Sequence, residues 1–271
     1  MSESIQNLGL IAGNGKFPIL FARAAKLKNI KVIAAGIKGD TAFYFPYLVD
    51  RFAWFSPGEL KKLFAYFKGE GVRHVIMAGQ VSPKNLFDDK VEMDDEFRGI
   101  FAALQDRKAD TIFKAVAERL QANGMELLDS TLLLRDHLAP KGTLTKRAPT
   151  TAELEDIQFG FTIAKLMGGI DIGQTVVVKE KAIVAIEAME GTDKAIFRGC
   201  SIARKGAVVV KTSKPKQDDR FDVPVIGPKT LKVMAQSNGG CLAIEAGKTL
   251  IIDLDETVRL ADKAAICIVA A

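Results

Sequence analysis

The sequence predicts an α/β protein whose N-terminal half is a doubly wound parallel sheet. Short apolar runs alternate there with amphipathic helical segments, and a glycine follows each of the runs. Apolar runs of this length are typical of parallel strands buried on both faces. Their alternation with helices is typical of a doubly wound sheet. At about 100–200 residues per domain, the 271 residues correspond to one large domain or two modest ones.

The N-terminal strands and helices follow each other in a regular order. The predicted strands are residues 8–12, 31–35 and 74–78, followed by Gly13, Gly36 and Gly79. Pro18 fits the first turn of a helix that runs to about Lys28, because the missing N–H of proline costs nothing there. Ser56 and Pro57 begin a second helix. Its apolar stripe consists of Leu60, Leu63, Phe64 and Phe67.

The turn after the first strand is the first candidate for binding. Gly13-Asn14-Gly15 matches part of a dinucleotide-binding fingerprint, but the third glycine is absent and no acidic residue closes the second strand. Gly79 and Gln80 fall at the same edge, where ligands of open α/β sheets bind. Two interpretations stay open: a tight turn that needs glycine backbone, or a helix N-terminus that approaches a phosphate or sugar. The pattern does not favour NAD.

The C-terminal half is also predicted to mix helices and strands. Residues 141–149 are rich in turn residues, so we expect a nucleotide-binding-like domain over residues 1–140 and a second α/β domain over residues 141–271. The predicted elements are a helix over 151–167, a hairpin of 176–179 with 182–186, a helix ending near Cys200, a strand over 207–211, a helix over 228–235, a strand over 250–253, a helix over 256–262 and a strand over 265–269.

Carboxylates cluster after the predicted hairpin. Glu187, Glu190 and Asp193 lie within a stretch of seven residues. Thr192 can cap the free N–H groups of the helix that starts here, and Gly191 lets a phosphate approach the backbone. Helix capping and surface charge explain the same residues, so both interpretations stay open.

A mixed acidic and basic stretch precedes the predicted helix over 228–235. Apolar and polar residues alternate from Phe221 to Val225, which predicts extended backbone with Arg220 and Asp222 on the same side. An aspartate there can hold a metal or orient water while arginine and lysine neutralise a phosphate. A salt bridge within the loop explains Arg220 equally well, whereas a carboxylate among apolar neighbours needs a partner.

Composition excludes several classes of protein. The chain is 48% hydrophobic and 26% charged, near the globular average, which excludes disordered and collagen-like chains. Three cysteines without CxxC spacing argue against a disulfide framework and a thiolate zinc site. Two histidines cannot form a three-histidine metal centre. Metal chemistry would therefore use oxygen ligands, which suit Mg²⁺ or Mn²⁺.

Charge and targeting signals bear on the partners. No apolar run approaches the roughly 20 residues that span a bilayer, and the first residues lack the basic cluster of a signal peptide, so we expect a cytoplasmic protein. The net charge of +5 divides into +3 for residues 1–135 and +2 for residues 136–271. This even division argues against nucleic acid as a partner. It is compatible with anionic small molecules or an anionic membrane face.

Five segments, in order along nearly the whole chain, carry a family resemblance. They are IAGNGKFP at 11–18, AGQVSP at 78–83, DIGQTVVVK at 171–179, EAMEGTD at 187–193 and KPKQDDRFDVPVIG at 214–227. The last three are long and specific. Together the segments resemble the LpxI family of UDP-2,3-diacylglucosamine pyrophosphatases, which act in lipid A biosynthesis in Gram-negative bacteria.

The resemblance implies a Rossmann-like N-terminal domain, a distinct C-terminal α/β domain and a ligand between them. It implies a hydrolase that requires a divalent metal and converts UDP-2,3-diacylglucosamine to UMP and 2,3-diacylglucosamine 1-phosphate (lipid X). Water would attack the phosphorus on the sugar side. The family's important aspartate falls in an Arg-x-Asp-x-Pro segment, which matches Asp222 here.

Roles for individual residues follow as expectations. Asp222 is the expected catalytic residue, and the expected ligands of Mg²⁺ or Mn²⁺ are Asp222, Glu190 and Asp193. The expected substrate-binding residues are Gly13, Gly15, Gly79, Gln80, Gln174, Thr192, Lys211, Lys214 and Arg220. We also expect a homodimer and a peripheral contact with the cytoplasmic face of the inner membrane. The alternative function is a non-catalytic or redox protein that binds a nucleotide through the Gly13-x-Gly15 turn.

Overall fold

A computed structural model describes residues 5–81, 92–106 and 108–271. By their contacts the residues form two compact units. Unit 1 consists of Met1–Leu134 and Asp219–Asp222, and unit 2 consists of Arg135–Asp218 and Val223–Ala271. The short stretch of late sequence in unit 1 is not expected from the sequence. Ser82 and Pro83, which end the second resembling segment, lie outside the described residues.

Unit 1 is built on a five-stranded parallel sheet. Its strands are β1 (Asn7–Ala12), β2 (Lys31–Ile37), β3 (Arg51–Phe55), β4 (His74–Ala78) and β5 (Glu126–Leu127), and its helices are α1 (Phe17–Leu27), α2 (Leu60–Gly69), α3 (Asp95–Ala103) and α4 (Ala109–Ala122). The strand order is β3-β2-β1-β4-β5, and all neighbours are parallel. The strand order reverses between β1 and β4, as in a doubly wound sheet. This confirms the predicted fold class.

The helices of unit 1 form because their apolar side chains lie on one face. The stripe predicted for α2 is buried in the main core of this unit, together with Val75 and Met77 of β4. Leu120 of α4 is buried in the same core. Pro18 lies in the first turn of α1, as predicted. α2 and α4 therefore turn their apolar sides to this core and their charged sides to solvent.

Unit 2 is built on a six-stranded mixed sheet. The strands of unit 2, including two outside this sheet, are β6 (Gly142–Thr143), β7 (Thr175–Lys179), β8 (Ala182–Ile186), β9 (Ala207–Lys211), β10 (Val225–Ile226), β11 (Gly239–Ile244), β12 (Leu250–Ile251) and β13 (Cys267–Ala270). Its helices are α5 (Thr151–Gly169), α6 (Thr192–Ala203), α7 (Pro228–Gln236) and α8 (Leu254–Lys263). The main sheet has the order β6-β13-β11-β9-β7-β8, and β10 and β12 form a separate pair. β9, β11 and β13 are parallel, whereas β7 is antiparallel to β8 and β9.

Alternate side chains of the second sheet enter two different cores. Val176 and Val178 of β7 pack in the same core as residues of α5. Val177, between them, packs with residues of α6 and α7 on the other face. This two-residue period is the consequence of strand geometry. The sheet is therefore covered by α5 on one side and by α6, α7 and α8 on the other.

The helix α5 begins with a capping box. Thr150 precedes the helix, and its side chain accepts a hydrogen bond from the backbone N–H of Glu153. The Glu153 carboxylate accepts one in return from the backbone N–H of Thr150. Two otherwise unsatisfied donors of the first turn are thus paired.

Gly160 lets α5 approach the sheet closely. A Cβ atom at this position would lie 2.5 Å from Cγ2 of Val210 and 3.0 Å from Cγ2 of Val178. We expect Gly160→Ala to lower the free energy of unfolding by about 1–3 kcal/mol, because overpacking outweighs the better helix propensity of alanine. Urea denaturation followed by circular dichroism measures this change.

Gly69→Ala is the matched control. A Cβ atom at Gly69, in α2, would have no neighbour within 4 Å. We expect this change to leave the free energy of unfolding unchanged or to raise it by up to about 1 kcal/mol. If Gly160→Ala were as stable as Gly69→Ala, the close approach of α5 would not be a constraint on the fold.

Candidate functional site

In unit 1, the ends of β1 and β4 are joined by backbone hydrogen bonds. The N–H of Gly13 donates to the carbonyl of Ala78 at 2.8 Å. Asn14 and Gln80 exchange two backbone hydrogen bonds of 2.7 and 3.3 Å. A Cβ atom on Gly13 would lie 2.6 Å from the carbonyl oxygen of Gln80, so only glycine permits this approach. Gly79 has a φ of +86°, which also favours glycine.

The structure therefore brings Gly13, Gly79 and Gln80 together at the point where the strand order reverses. The backbone N–H of Gly13 donates to Ala78, and those of Asn14 and Gln80 donate to each other's carbonyls, so these three groups are not presented to a phosphate. The tight turn accounts for Gly13 and Gly79. Gly15 is different, because it is exposed and has open space where a Cβ atom would lie. Its role in substrate binding stays a prediction.

In unit 2, a buried lysine occupies the end of β9. The side chain of Lys211 is 8% exposed. Its Nζ donates to Oγ1 of Thr175 at 3.2 Å and to Oγ1 of Thr192 at 3.0 Å. The carboxylate of Glu187 lies 3.8 Å from the same Nζ and accepts a hydrogen bond of 2.5 Å from Thr192. The ammonium group is thus surrounded by oxygen atoms and neutralised by one carboxylate.

A second buried lysine lies three residues further along. Nζ of Lys214 is 2.5 Å from Oδ1 of Asp171, and both side chains are largely buried. The backbone N–H of Lys214 donates to Oε1 of Gln217 at 2.7 Å. The carbonyl of Gln174 accepts from the backbone N–H of Thr212, so the segment that contains Asp171 lies along the segment that contains both lysines.

Glu245 supports the turn between the two lysines, and it was not among the predicted site residues. Its Oε2 accepts hydrogen bonds from Oγ1 of Thr212, Oγ of Ser213 and Nζ of Lys165, each at 2.7 Å, and from the backbone N–H of Ser213 at 2.9 Å. Burial opposes ionisation of Glu245, but these hydrogen bonds outweigh burial and hold its pKa at about 2. Glu245 follows β11 directly, and prediction of that strand would have indicated its place.

We call these side chains the lysine–carboxylate cluster; its members are Asp171, Glu187, Thr192, Lys211, Lys214 and Glu245. They lie at one edge of the sheet because β8, β9 and β11 end there and the antiparallel β7 begins there. In the predicted set, the structure places Thr192, Lys211, Lys214 and Gln174 at this edge. Two lysines held by carboxylates can exchange those partners for the oxygen atoms of an anionic ligand.

The predicted metal ligands are engaged in other contacts. Glu190 accepts a hydrogen bond of 2.7 Å from Nη2 of Arg198. Burial opposes ionisation of Glu190, but this contact with Arg198 lowers its pKa overall. Asp193 is 2.7 Å from Nζ of Lys229. Within residues 5–81, 92–106 and 108–271, no three His, Cys, Asp or Glu side chains form a group that could hold a metal ion. The role of Asp222, Glu190 and Asp193 as metal ligands stays a prediction.

The segment around Asp222 differs from the expectation in two respects. Residues 219–221 form a turn rather than an extended strand. Asp222 belongs by its contacts to unit 1 and not to the C-terminal unit. The reason is tertiary packing: the ring of Phe221 stacks on Phe113 of α4 with centroids 5.5 Å apart, and the carbonyl of Asp219 accepts two hydrogen bonds from Ser130. Asp222 itself is half-buried.

Arg220 lies in unit 1, at the opposite end of the parallel strands from Gly13 and Gly79. It lines a hollow of about 580 Å³ together with Arg73, His74 and Glu126. These residues precede or begin β4 and β5, so the hollow lies at the amino ends of these strands, whereas Gly79 follows the carboxyl end of β4. The predicted contact of Arg220 with the substrate stays a prediction.

Comparison with known proteins identifies the family. Residues 7–137 match the LpxI N-terminal domain, and residues 140–269 match the LpxI C-terminal domain. The chain belongs to the LpxI family. The resemblance found in the sequence is thus confirmed. Within the family, the protein named UDP-2,3-diacylglucosamine pyrophosphatase LpxI from Caulobacter vibrioides is 30% identical, over 95% of this chain and 95% of that protein.

Solved structures outside the LpxI family show only a remote likeness. The biotin carboxylase domain of 2-oxoglutarate carboxylase from Hydrogenobacter thermophilus is 11% identical with a TM-score of 0.28, over 68% of this chain and 38% of that one. Pyruvate carboxylase from Rhizobium etli is 11% identical with a TM-score of 0.28, over 70% of this chain and 17% of that one. Neither similarity bears on the function of this LpxI family member.

Among the residues that the structure describes, none of the helices combines the length and the apolar character needed to cross a bilayer.

The hydrogen bonds of Glu245 predict a pH-dependent contribution to stability. A carboxyl group with a folded-state pKa of about 2 stabilises the fold above its unfolded pKa, and this contribution is lost as the pH falls toward 2. We expect Glu245→Gln to lower the free energy of unfolding at pH 7. The difference from wild type should shrink below about pH 4.5. Urea denaturation at a series of pH values measures it.

Glu180→Gln is the control for this series, because the Glu180 side chain is 84% exposed. Its difference from wild type should be small at every pH. A Glu245→Gln difference that did not change with pH would show that the carboxylate charge of Glu245 is not what holds the turn.

Proposed function

We propose that this chain hydrolyses the diphosphate of UDP-2,3-diacylglucosamine, in lipid A biosynthesis of a Gram-negative bacterium. The products would be UMP and 2,3-diacylglucosamine 1-phosphate. The observation that supports this most is family membership over both domains, together with a relative of that printed name that matches along 95% of its length.

The lysine–carboxylate cluster supports a diphosphate substrate. Hydrolysis of a phosphoric anhydride needs charge neutralisation more than a covalent nucleophile. The ammonium groups of Lys211 and Lys214 are fixed at one sheet edge before any ligand is bound. We assign them to the negative charge of the diphosphate, which would replace the carboxylates of Glu187 and Asp171 as their partner. Fixed charges of this kind stabilise a transition state without reorganisation.

Asp222 is the residue to which we assign the attacking water. Its carboxylate would orient the water and accept its proton as the oxygen bonds to the phosphorus on the sugar side. The bond from this phosphorus to the bridging oxygen then breaks, and the bridging oxygen leaves with UMP. The turn at 219–221 and the stacking of Phe221 on Phe113 hold the backbone next to Asp222 in place.

The structure engages two of the backbone donors that the alternative function would use. A nucleotide-binding protein that used the Gly13-x-Gly15 turn would present backbone amides to a phosphate. The amides of Gly13 and Asn14 donate instead to carbonyls at the end of β4.

The cytoplasmic location, the contact with the inner membrane and the homodimer remain parts of the proposal that follow from the substrate and the family.

The role of Asp222 is tested by substitution. We expect Asp222→Asn to lower the rate of UMP release from UDP-2,3-diacylglucosamine by about 100-fold or more, because the amide cannot accept the proton of water. Thermal unfolding should be nearly unchanged. Asp255→Asn, at an exposed aspartate of α8, should keep the full rate. Normal turnover by the Asp222→Asn variant would refute the assignment, and absence of UMP release by the wild-type protein would refute the proposed function.

The requirement for Mg²⁺ or Mn²⁺ is a separate prediction. The described carboxylates do not form a ready site for it, so the cation enters the proposal as a requirement to be measured. We expect EDTA to stop UMP release and added Mg²⁺ or Mn²⁺ to restore it. EDTA already saturated with Mg²⁺ is the control. A full rate in the presence of excess EDTA would contradict the requirement.

A further inference from the structure

The positive charge of the chain is concentrated in one segment of unit 1. Residues 16–54 contain seven Lys and Arg residues and two Asp residues, so this segment alone has a net charge of +5. The whole chain also has a net charge of +5, so the remaining residues carry equal numbers of both signs. Division of the chain into halves conceals this, and the even spread inferred from the halves is corrected.

All of these cations face solvent. The seven residues are Lys16, Arg23, Lys26, Lys28, Lys31, Lys38 and Arg51, and each is exposed. Of the two acidic residues, Asp50 accepts a hydrogen bond from the backbone N–H of Val32 at 2.8 Å. The segment therefore presents a positive potential to anything that approaches it.

The same segment holds the most exposed large apolar side chains. Leu27 is 86% exposed, Phe43 is 83% exposed and Tyr47 is 87% exposed. In the part of the chain that the structure describes, no other large hydrophobic side chain exceeds the 62% exposure of Ile202. Exposure of such side chains within a basic region is unfavourable in water and points to a partner that covers them.

Tyr47 is a neighbour in space of two of the lysines, and Phe43 is linked to it through Tyr44. Tyr47 lines a hollow of about 310 Å³ together with Lys26 and Lys31. The backbone N–H of Tyr47 donates to the carbonyl of Tyr44. The ring of Tyr44 packs edge-on against that of Phe43, with centroids 5.5 Å apart. We call this the basic–aromatic surface; its members are Lys26, Leu27, Lys31, Phe43 and Tyr47.

The basic–aromatic surface is attached to the glycine turn of the same unit. The Oγ1 of Thr41 donates to the carbonyl of Ala12 at 2.5 Å and accepts from the backbone N–H of Ile37. The chain that leads to Phe43 is thus tied to the end of β1, directly before Gly13. Lys31 begins β2, so the surface extends from the carboxyl end of the parallel sheet, near Phe43, to its amino end, near Lys31.

We propose that the basic–aromatic surface docks unit 1 on an anionic phospholipid bilayer. Aromatic side chains favour the level of the headgroups, and an aliphatic side chain such as Leu27 can enter the acyl region. Lysines near an anionic leaflet strengthen the attachment electrostatically. This proposal rests on the proposed function only in that a diacylated substrate resides in such a bilayer. The charge and exposure that carry it are properties of the surface itself.

The experiment is co-sedimentation of the full chain with vesicles in the absence of substrate. We expect binding to phosphatidylcholine vesicles that contain phosphatidylglycerol, little binding to pure phosphatidylcholine, and weaker binding as salt is raised. The double variant Phe43→Ser with Tyr47→Ser should bind about tenfold more weakly or worse. Lys26→Gln with Lys31→Gln should have a similar effect.

Matched controls come from unit 2. Phe197→Ser with Ile202→Ser removes two exposed apolar side chains of α6, and Lys248→Gln with Lys263→Gln removes two exposed charges. Both controls should bind vesicles like wild type. Because the substituted side chains are exposed, all variants should keep the wild-type unfolding midpoint in urea.

Three results would overturn the proposal: equal binding to both kinds of vesicle, wild-type vesicle binding by the surface variants, or loss of a dimer in these variants with vesicle binding unchanged. Stronger binding to duplex DNA than to anionic vesicles would also overturn it.

UMP release from substrate dispersed in detergent should be unchanged in the surface variants. Since vesicle binding is measured without substrate, a failure of hydrolysis would refute the proposed function and leave the docking result intact.

Discussion

Two buried lysine side chains determine what the edge of the second sheet must contain. The ammonium groups of Lys211 and Lys214 are almost fully covered, and an isolated buried charge is too unfavourable for a fold to retain. Glu187 and Asp171 supply the opposite charge, and removal of either would leave a cation uncompensated. Glu245 fixes the backbone between the lysines. Asp171, Glu187 and Glu245 are far apart in the sequence, yet all three bind the short segment that contains Lys211 and Lys214.

The strands that the sequence predicts are those with continuous apolar runs. β4, β7 and β9 have buried side chains along most of their length. β3 is an edge strand with two exposed, two half-buried and one buried residue, so it shows neither a continuous buried run nor a clean alternation. β11 begins with two glycines, which are uncommon in strands. Because β11 was not predicted, nothing in the sequence indicated that Glu245 lies beside the lysines.

The site was predictable as a set of residue types but not as a set of contacts. A carboxylate has the same appearance in a sequence whether it binds a metal ion or an arginine, and Glu190 proves to contact Arg198. The alternation around Phe221 predicts extended backbone. The stacking of Phe221 on Phe113 favours a turn instead. A contact between residues so distant in the chain leaves no local sequence pattern. Thr192, Lys211 and Lys214 were expected to bind substrate, and the structure places them together at one edge of the second sheet. Their contact with the substrate stays a prediction.

The N-terminal unit is assembled from two separate stretches of chain, and this has a consequence for biogenesis. The ribosome completes residues 1–134 long before it reaches Asp219. Until then the aromatic face of Phe113 lacks its covering ring, and Ser130 lacks the carbonyl that it binds in the finished protein. The last packing step of the first-made unit therefore waits for most of the nascent polypeptide to emerge. A fragment cut after Leu134 would keep that face open to water.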